Sequence, residues 1–321
     1  MGTKTVSRTY NSDDDLTSVL AFLLETFRRT HSYQNWFPDR FENSHRSGGR
    51  THWVDDIQMW EEVDDAATPS KKRIVALANP ESQYDYFIQI DPDYSFLERE
   101  ILTWIEKHCL ERKKDPDGKK KLRIHTIEGN YARELLLAEL DYQKGEIAGY
   151  LRLRPMDLPI PDIDCPEGYE IRSVKGRADY DQLAAVIRLV FGHGEWFNAE
   201  VYEGITRCSF YKRDLDLVAV AQDGTFASFC TFRMDLASGI TNLEPVGTHP
   251  NYRQVGLAKA LISEGLKRTM KYDPTLFYIG GAADTPAANR LYDSVGYTEK
   301  LAEHSWFKEI YEGISVHSEH K

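Results

Sequence analysis

Between an apolar run from Ile240 to Thr248 and an amphipathic run from Leu257 to Tyr272, the chain reads Arg253-Gln254-Val255-Gly256-Leu257-Ala258. The first run fits a strand. In the second, Leu257, Leu261, Ile262, Leu266 and Met270 fall on one helix face. A strand that passes into a helix through so short a loop aims several backbone N–H groups at one point. That point also carries the positive end of the helix dipole. Gly256 brings no Cβ, so a bound group can approach its backbone closely. The guest that suits such a corner is a phosphate or pyrophosphate, and Arg253 adds a charged fork.

The rest of the second half alternates in the same manner. Tyr169 to Val174 alternates like a strand, and Asp179 to Phe191 has helical apolar spacing through Leu183, Val186, Ile187 and Val190. Leu215 to Ala221 and Thr225 to Met234 flank the hairpin signal Gln222-Asp223-Gly224. Leu276 to Gly280 is a short buried strand, and Thr285 to Val295 a helix closed by Gly296 as a left-handed cap. The order β-α-(α)-β-β-β-α-β-α-β predicts a mixed α/β (α+β) domain, a twisted and mostly antiparallel sheet flanked by helices.

At 321 residues the chain has room for two domains. Pro155, Pro159, Pro161 and Pro166, mixed with Asp157, Asp162 and Asp164, form a stiff acidic connector. The boundary is placed there, giving domains 1–156 and 157–321. The first half resembles a worn copy of the second. Asp91-Pro92-Asp93-Tyr94 stands where His249-Pro250-Asn251-Tyr252 does, after a strand (Tyr84 to Ile90) and before a helix (Leu97 to Leu110). Ala132 to Tyr142 follows the pattern of Ala287 to Tyr297, and Trp36-Phe37 echoes Trp196-Phe197. The copy lacks a glycine where Gly256 sits, and has Leu137 in place of Tyr292 and Asp141 in place of Gly296.

A net charge of −11 argues against a general nucleic-acid or anionic-membrane binder. No run approaches the 18 or so apolar residues of a membrane span, and Met1 to Tyr10 has no signal-peptide core. Cys109, Cys165, Cys208 and Cys230 are widely spaced, as expected of reduced thiols in a cytoplasmic protein. The basic run from Arg112 to Arg123 reads as a solvated turn, and His317-Ser318-Glu319-His320 as a fraying end; no metal site is expected.

The Arg253 to Ala258 stretch resembles the acyl-CoA loop of the GNAT superfamily of N-acetyltransferases, matching its pattern at Arg253, Gly256 and Ala258. Asp284-Thr285-Pro286-Ala287-Ala288-Asn289-Arg290-Leu291-Tyr292 with Gly296-Tyr297 is similar to that family's second CoA-contact region. The likeness is good over Tyr169 to Glu309 and faint over Thr5 to Arg154. It implies two tandem GNAT-like domains, the first degenerate and without a CoA loop, the second catalytic. It implies acetyl-CoA as co-substrate, held by Val246, Gly247, Thr248, Arg253, Gln254, Val255, Gly256, Leu257, Ala258, Thr285, Asn289 and Tyr292. Thr285 departs from the asparagine common there, and Asn289 is the substitute. The resemblance makes Tyr292 the general acid for the leaving thiolate and a backbone N–H of Val246 or Gly247 the oxyanion donor.

Forming an amide also requires a neutral amine, hence a base. In a regular strand Asn242, Glu244, Val246 and Thr248 share one face, which makes Glu244 the candidate base, although Pro245 beside it can bulge the strand. In the loop Phe191 to Phe197, Glu195 and Trp196 are candidates for acceptor binding, with Trp36 facing the same cavity and His193 a weaker candidate for catalysis. The expectation is direct acetyl transfer to a primary amine of a small molecule, by a monomer or homodimer. The alternative is a non-catalytic acyl-CoA-binding or scaffold protein.

Overall fold

The computed structural model describes residues 4–46, 51–64, 71–111, 119–282 and 285–311. The turn from Arg112 to Gly118, Asp284, and His317 to His320 lie outside the described residues. The chain forms two compact units. One comprises Met1–Trp36, Trp53–Ile147 and Glu303–Lys321; the other comprises Phe37–His52 and Ala148–Ala302.

In chain order the elements are β1 (Lys4–Thr9), α1 (Ser12–Thr30), α2 (Pro38–Arg46), β2 (Gln58–Asp64), β3 (Lys71–Ser82), β4 (Asp85–Ile90), α3 (Glu98–Glu111), β5 (Lys119–Ile127), α4 (Tyr131–Glu139) and β6 (Gln143–Arg154). They continue with β7 (Tyr169–Ser173), α5 (Arg177–Phe191), α6 (Ala199–Ile205), β8 (Asp216–Ala221), β9 (Phe226–Met234), β10 (Ile240–Thr248), α7 (Leu257–Thr269), β11 (Leu276–Ala282), α8 (Pro286–Ser294) and β12 (Glu299–Tyr311).

The first unit has strand order β1-β2-β3-β4-β5-β12 and the second β7-β8-β9-β10-β11-β6. In each, neighbours are antiparallel except the fourth and fifth strands, β4 with β5 and β10 with β11, which are parallel. The two orders match strand for strand, so the repeat seen in the sequence is one of topology. Its sixth strands are exchanged: β12 pairs with β5, and β6 pairs with β11. The second unit also takes in α2 from far upstream. A single cut between 156 and 157 therefore does not describe the compact units. The proline-rich connector lies within the second unit, where Ser263 Oγ bonds the Pro161 carbonyl and Ile160 packs on the core. Prolines here bind the segment to α7 and do not release it as a linker.

The first unit packs Trp60, Ile101, Leu102, Ile105 and Leu137 around its sheet. In the second, two faces of the sheet are covered separately. On one, Leu257, Leu261, Ile262 and Leu266 of α7 meet Phe232 and Phe277. Gly265 permits this, since a Cβ there would fall 2.1 Å from the Phe232 ring. On the other, Leu183, Val186 and Ile187 of α5 meet Phe226 and Phe229. The α8 helix ends at Gly296 with φ of +95°, the left-handed cap expected from sequence. Its counterpart Asp141 also has positive φ, +64°.

Candidate active site

Strand β10 positions the site by coming apart from β11. The two pair only through Ile240↔Leu276, Thr241↔Phe277 and Asn242↔Tyr278. Beyond Asn242, β10 keeps its ladder with β9 alone, over Val246↔Cys230, Gly247↔Phe229 and Thr248↔Ser228. Backbone groups turned toward the β11 side thus lose their partners, which leaves them available to a ligand. Gly247 is required by packing: a Cβ would fall 2.4 Å from Phe229 and 2.8 Å from Val190.

The register shifts between Leu243 and Val246. This bulge overturns the expectation that Asn242, Glu244, Val246 and Thr248 share a face. Leu243 and Val246 both pack toward the α7 core, whereas Glu244 stays with Asn242 and Arg233. The extra residue breaks the period of two between the proposed base and the residues meant to hold the cofactor.

After β10, His249 caps a short turn at Pro250–Tyr252 by accepting from the Asn251 N–H at 3.2 Å. The chain then passes Gln254 (φ +68°) and Gly256 (φ +91°) into α7. No side chain caps that helix, so its first amides remain open. Arg253 is tied back by Nε to the Thr248 carbonyl at 3.2 Å, leaving its Nη groups without a partner among the described residues. Gln254, Val255 and Gly256 are exposed, Ala258 is half-buried, and the Leu257 side chain belongs to the core. A Cβ on Gly256 would meet nothing closer than 4.0 Å, so the cradle is open. These features fit a diphosphate. The first unit differs at the matching place: Asp91 caps its turn, Arg29 and Arg73 pair with Asp91, and the turn runs straight into α3 with Glu98 and Glu100 in its first turn.

Helix α8 is fixed by Arg152 of β6, a fully buried residue that sequence reasoning did not single out. Its Nη1 bonds Asp293 Oδ1 at 2.7 Å and the Tyr297 carbonyl at 2.8 Å, and its Nη2 bonds Asn289 Oδ1. Asn289 therefore spends its carbonyl oxygen inside the protein. Thr285 is the N-cap of α8, accepting from the Ala288 N–H at 3.2 Å, which accounts for a hydroxyl where asparagine was expected. Neither residue lines the cavity described next.

That cavity, of about 410 Å³, has Tyr292, Val246, Pro245, Glu244, Arg233 and Trp196 among its walls. The Tyr292 hydroxyl has no hydrogen-bond partner among the described residues. Burial pushes its pKa up to about 12, helped by the charge of Glu244 and opposed by Arg152. A tyrosine so placed stays protonated at neutral pH. Glu244 is 40% exposed and accepts from Arg233 Nη1 at 3.2 Å and Asn242 Nδ2 at 3.3 Å, both on Oε2. Behind it, Asn242 also bonds Asp39 of α2 at 2.8 Å, and Tyr278 donates to the same carboxyl. Burial pushes Asp39 above the usual carboxylate range against the pull of Arg233 and these hydrogen bonds. On another wall, Tyr202, Tyr211 and Thr231 donate to buried Asp216 at 2.7–2.9 Å.

The acceptor-side candidates divide. Trp196 is half exposed, lines the cavity and stands edge-on to Phe197. His193 lines it too. Glu195 is 92% exposed, lies 3.4 Å from Arg188 and is not in the wall. Trp36 is buried in the first unit, its ring 4.6 Å from Phe87 and its backbone N–H on Gln89 Oε1, and it is not among the residues lining this cavity. Sequence reasoning missed Arg233, Asp39 and Tyr278. An arginine inside an apolar strand, Phe226 to Met234, was the one local signal.

Residues 185–297 match the Acetyltransferase (GNAT) family, and this part of the chain is a GNAT acetyltransferase domain. The chain is 27% identical over 172 residues to a mycothiol acetyltransferase of Salinispora tropica, an alignment covering 50% of this chain and 55% of that relative. It thus spans about half the length of the relative. In fold it is similar to a GCN5-related N-acetyltransferase from Sphaerobacter thermophilus, with TM-score 0.64 and 17% identity over 97% of this chain and 98% of that one. It is also similar to a tandem GNAT protein from the clavulanic acid biosynthesis pathway, with TM-score 0.66 and 11% identity over 96% and 98%. At these identities the likeness is one of fold.

Proposed function

We propose that the protein transfers an acetyl group from acetyl-CoA directly to a primary amine of a small molecule, using the second unit, while the first unit binds no CoA. The observation that carries this reading is the Tyr292 hydroxyl beside the opened end of β10, with Glu244 in the same wall. The amides from Gln254 to Ala258 and the Arg253 guanidinium would hold the diphosphate. The backbone edge of β10 left without β11, at Val246, would hold the pantetheine arm and donate to the thioester oxygen.

Glu244 removes a proton from the ammonium, freeing the nitrogen lone pair for the thioester carbon. As the new C–N bond forms, the nitrogen gives up its second proton to solvent, to which Glu244 later returns the first; as the C–S bond breaks, Tyr292 donates its proton to the departing sulfur. The phenol is restored from solvent, and the products are an amide and a free thiol. Asp39 and Asn242 act through Glu244 and Arg233, and are positioning residues.

Thiol release from acetyl-CoA across a panel of primary amines tests the reading. Release with at least one amine, and a large loss of rate in Glu244→Gln, are expected. Tight CoA binding without turnover on any amine would instead make the protein a binder.

A further inference from the structure

Arg233 is 5% exposed and forms part of the cavity wall, yet only one of its nitrogens is used. Nη1 bonds Glu244; Nε and Nη2 have no hydrogen bond among the described residues. Glu244 is bonded only through Oε2, so Oε1 is unspent as well. A buried guanidinium with vacant donors is unusual, because each unmet donor costs free energy. The Phe210 ring, 5.3 Å away, lies against the guanidinium without accepting a hydrogen bond.

Arg233 and Glu244 therefore present a cation and an anion side by side, each with a free polar atom, on one wall. Phe191, Trp196, Phe197 and Phe210 supply apolar surface in the same cavity. We infer that the acceptor is an α-amino acid with an apolar or aromatic side chain, its carboxylate bound by Arg233 and its amino group delivered to Glu244. The inference rests on the proposed function for the direction of transfer, but the binding it describes does not. A carboxylate gives Nη2, the vacant donor that is not sealed inside the protein, a charge-assisted partner, and the ammonium beside it meets the free Glu244 oxygen. An amine without a carboxylate would leave Arg233 unmet and place two cations together.

Calorimetric titration of the whole protein with L-phenylalanine, 3-phenylpropanoate and phenethylamine tests this. Phenylalanine is expected to bind about tenfold or more tightly than phenethylamine, and 3-phenylpropanoate to bind measurably. Arg233→Gln should abolish the preference and Arg233→Lys keep part of it; CoA binding by each variant checks that it is folded. Equal or tighter binding of phenethylamine by the wild-type protein overturns the inference without use of any variant, as does a preference that persists in folded Arg233→Gln. Acetylation of phenethylamine in preference to phenylalanine would sink the inference and leave the transferase reading standing. Binding of phenylalanine with no acetylation of any amine would do the reverse.

Discussion

The guanidinium of Arg152 lies 5.6 Å from the ring centroid of Tyr292, on the helix that Arg152 itself anchors through Asn289, Asp293 and the Tyr297 carbonyl. One buried cation thus supports the fold of α8 and the surroundings of the proposed acid. Replacing it with methionine, Arg152→Met, strands a buried carbonyl and frees α8. A loss of about 2–4 kcal/mol in denaturant unfolding is expected, together with a higher pKa for Tyr292.

Tyr292 has its own pH signature. Its folded pKa of about 12 exceeds the ordinary tyrosine value, because burial disfavours the phenolate. The stability tied to this group is intact below the ordinary value and disappears as pH rises through about 12. Tyr292→Phe should lower the rate by about a hundredfold or more and remove one late component from the ultraviolet titration of the phenols. A variant as fast as wild type would exclude the acid role.

Two glycines test different things. Gly256→Ala adds a methyl into open space at a positive φ, so a stability cost of about 1 kcal/mol is expected, with weakened CoA binding. Gly247→Ala drives a methyl into Phe229 and Val190. It should cost about 1–3 kcal/mol and be seen first in the melting temperature.

In the first unit His125 lies between two carboxylates, Asp85 at 2.5 Å and Glu303 at 2.8 Å. Burial alone would lower its pKa, but the hydrogen bond to Asp85 and the ion pair with Glu303 outweigh it and raise the value to about 9. Because the folded value is raised, the stabilisation is complete below the unfolded value near 6.5 and is lost as pH rises through 9. The stability gap between wild type and His125→Gln should therefore be wide at pH 6 and narrow at pH 10.

Trp196 and Glu195 are neighbours with opposite prospects. Glu195 contributes at most a surface ion pair, worth about 0–1 kcal/mol, so Glu195→Ala should leave KM within about twofold. Trp196→Ala removes part of the cavity wall and should raise KM for the acceptor by about tenfold or more.

The loop at Gly256 was legible in the sequence because its information is local: a strand, a left-handed residue and a helix in succession. Helix α7 and the cap at Gly296 were legible for the same reason. The facing of Glu244 was not, since a bulge inserts one residue and inverts every alternation argument beyond it. Asp39 was hidden by distance along the chain, 203 residues from Asn242. The exchange of β6 and β12 was hidden differently: an alternating strand records which face is buried and not which neighbour it pairs with.

That exchange limits how the molecule can be divided. A gene fragment cut at the prolines would deprive β11 of its antiparallel neighbour and β5 of its own. Neither half could be inherited, duplicated or expressed alone without exposing a raw sheet edge. The repeated halves are bound to a common fate by the last strand each has given away.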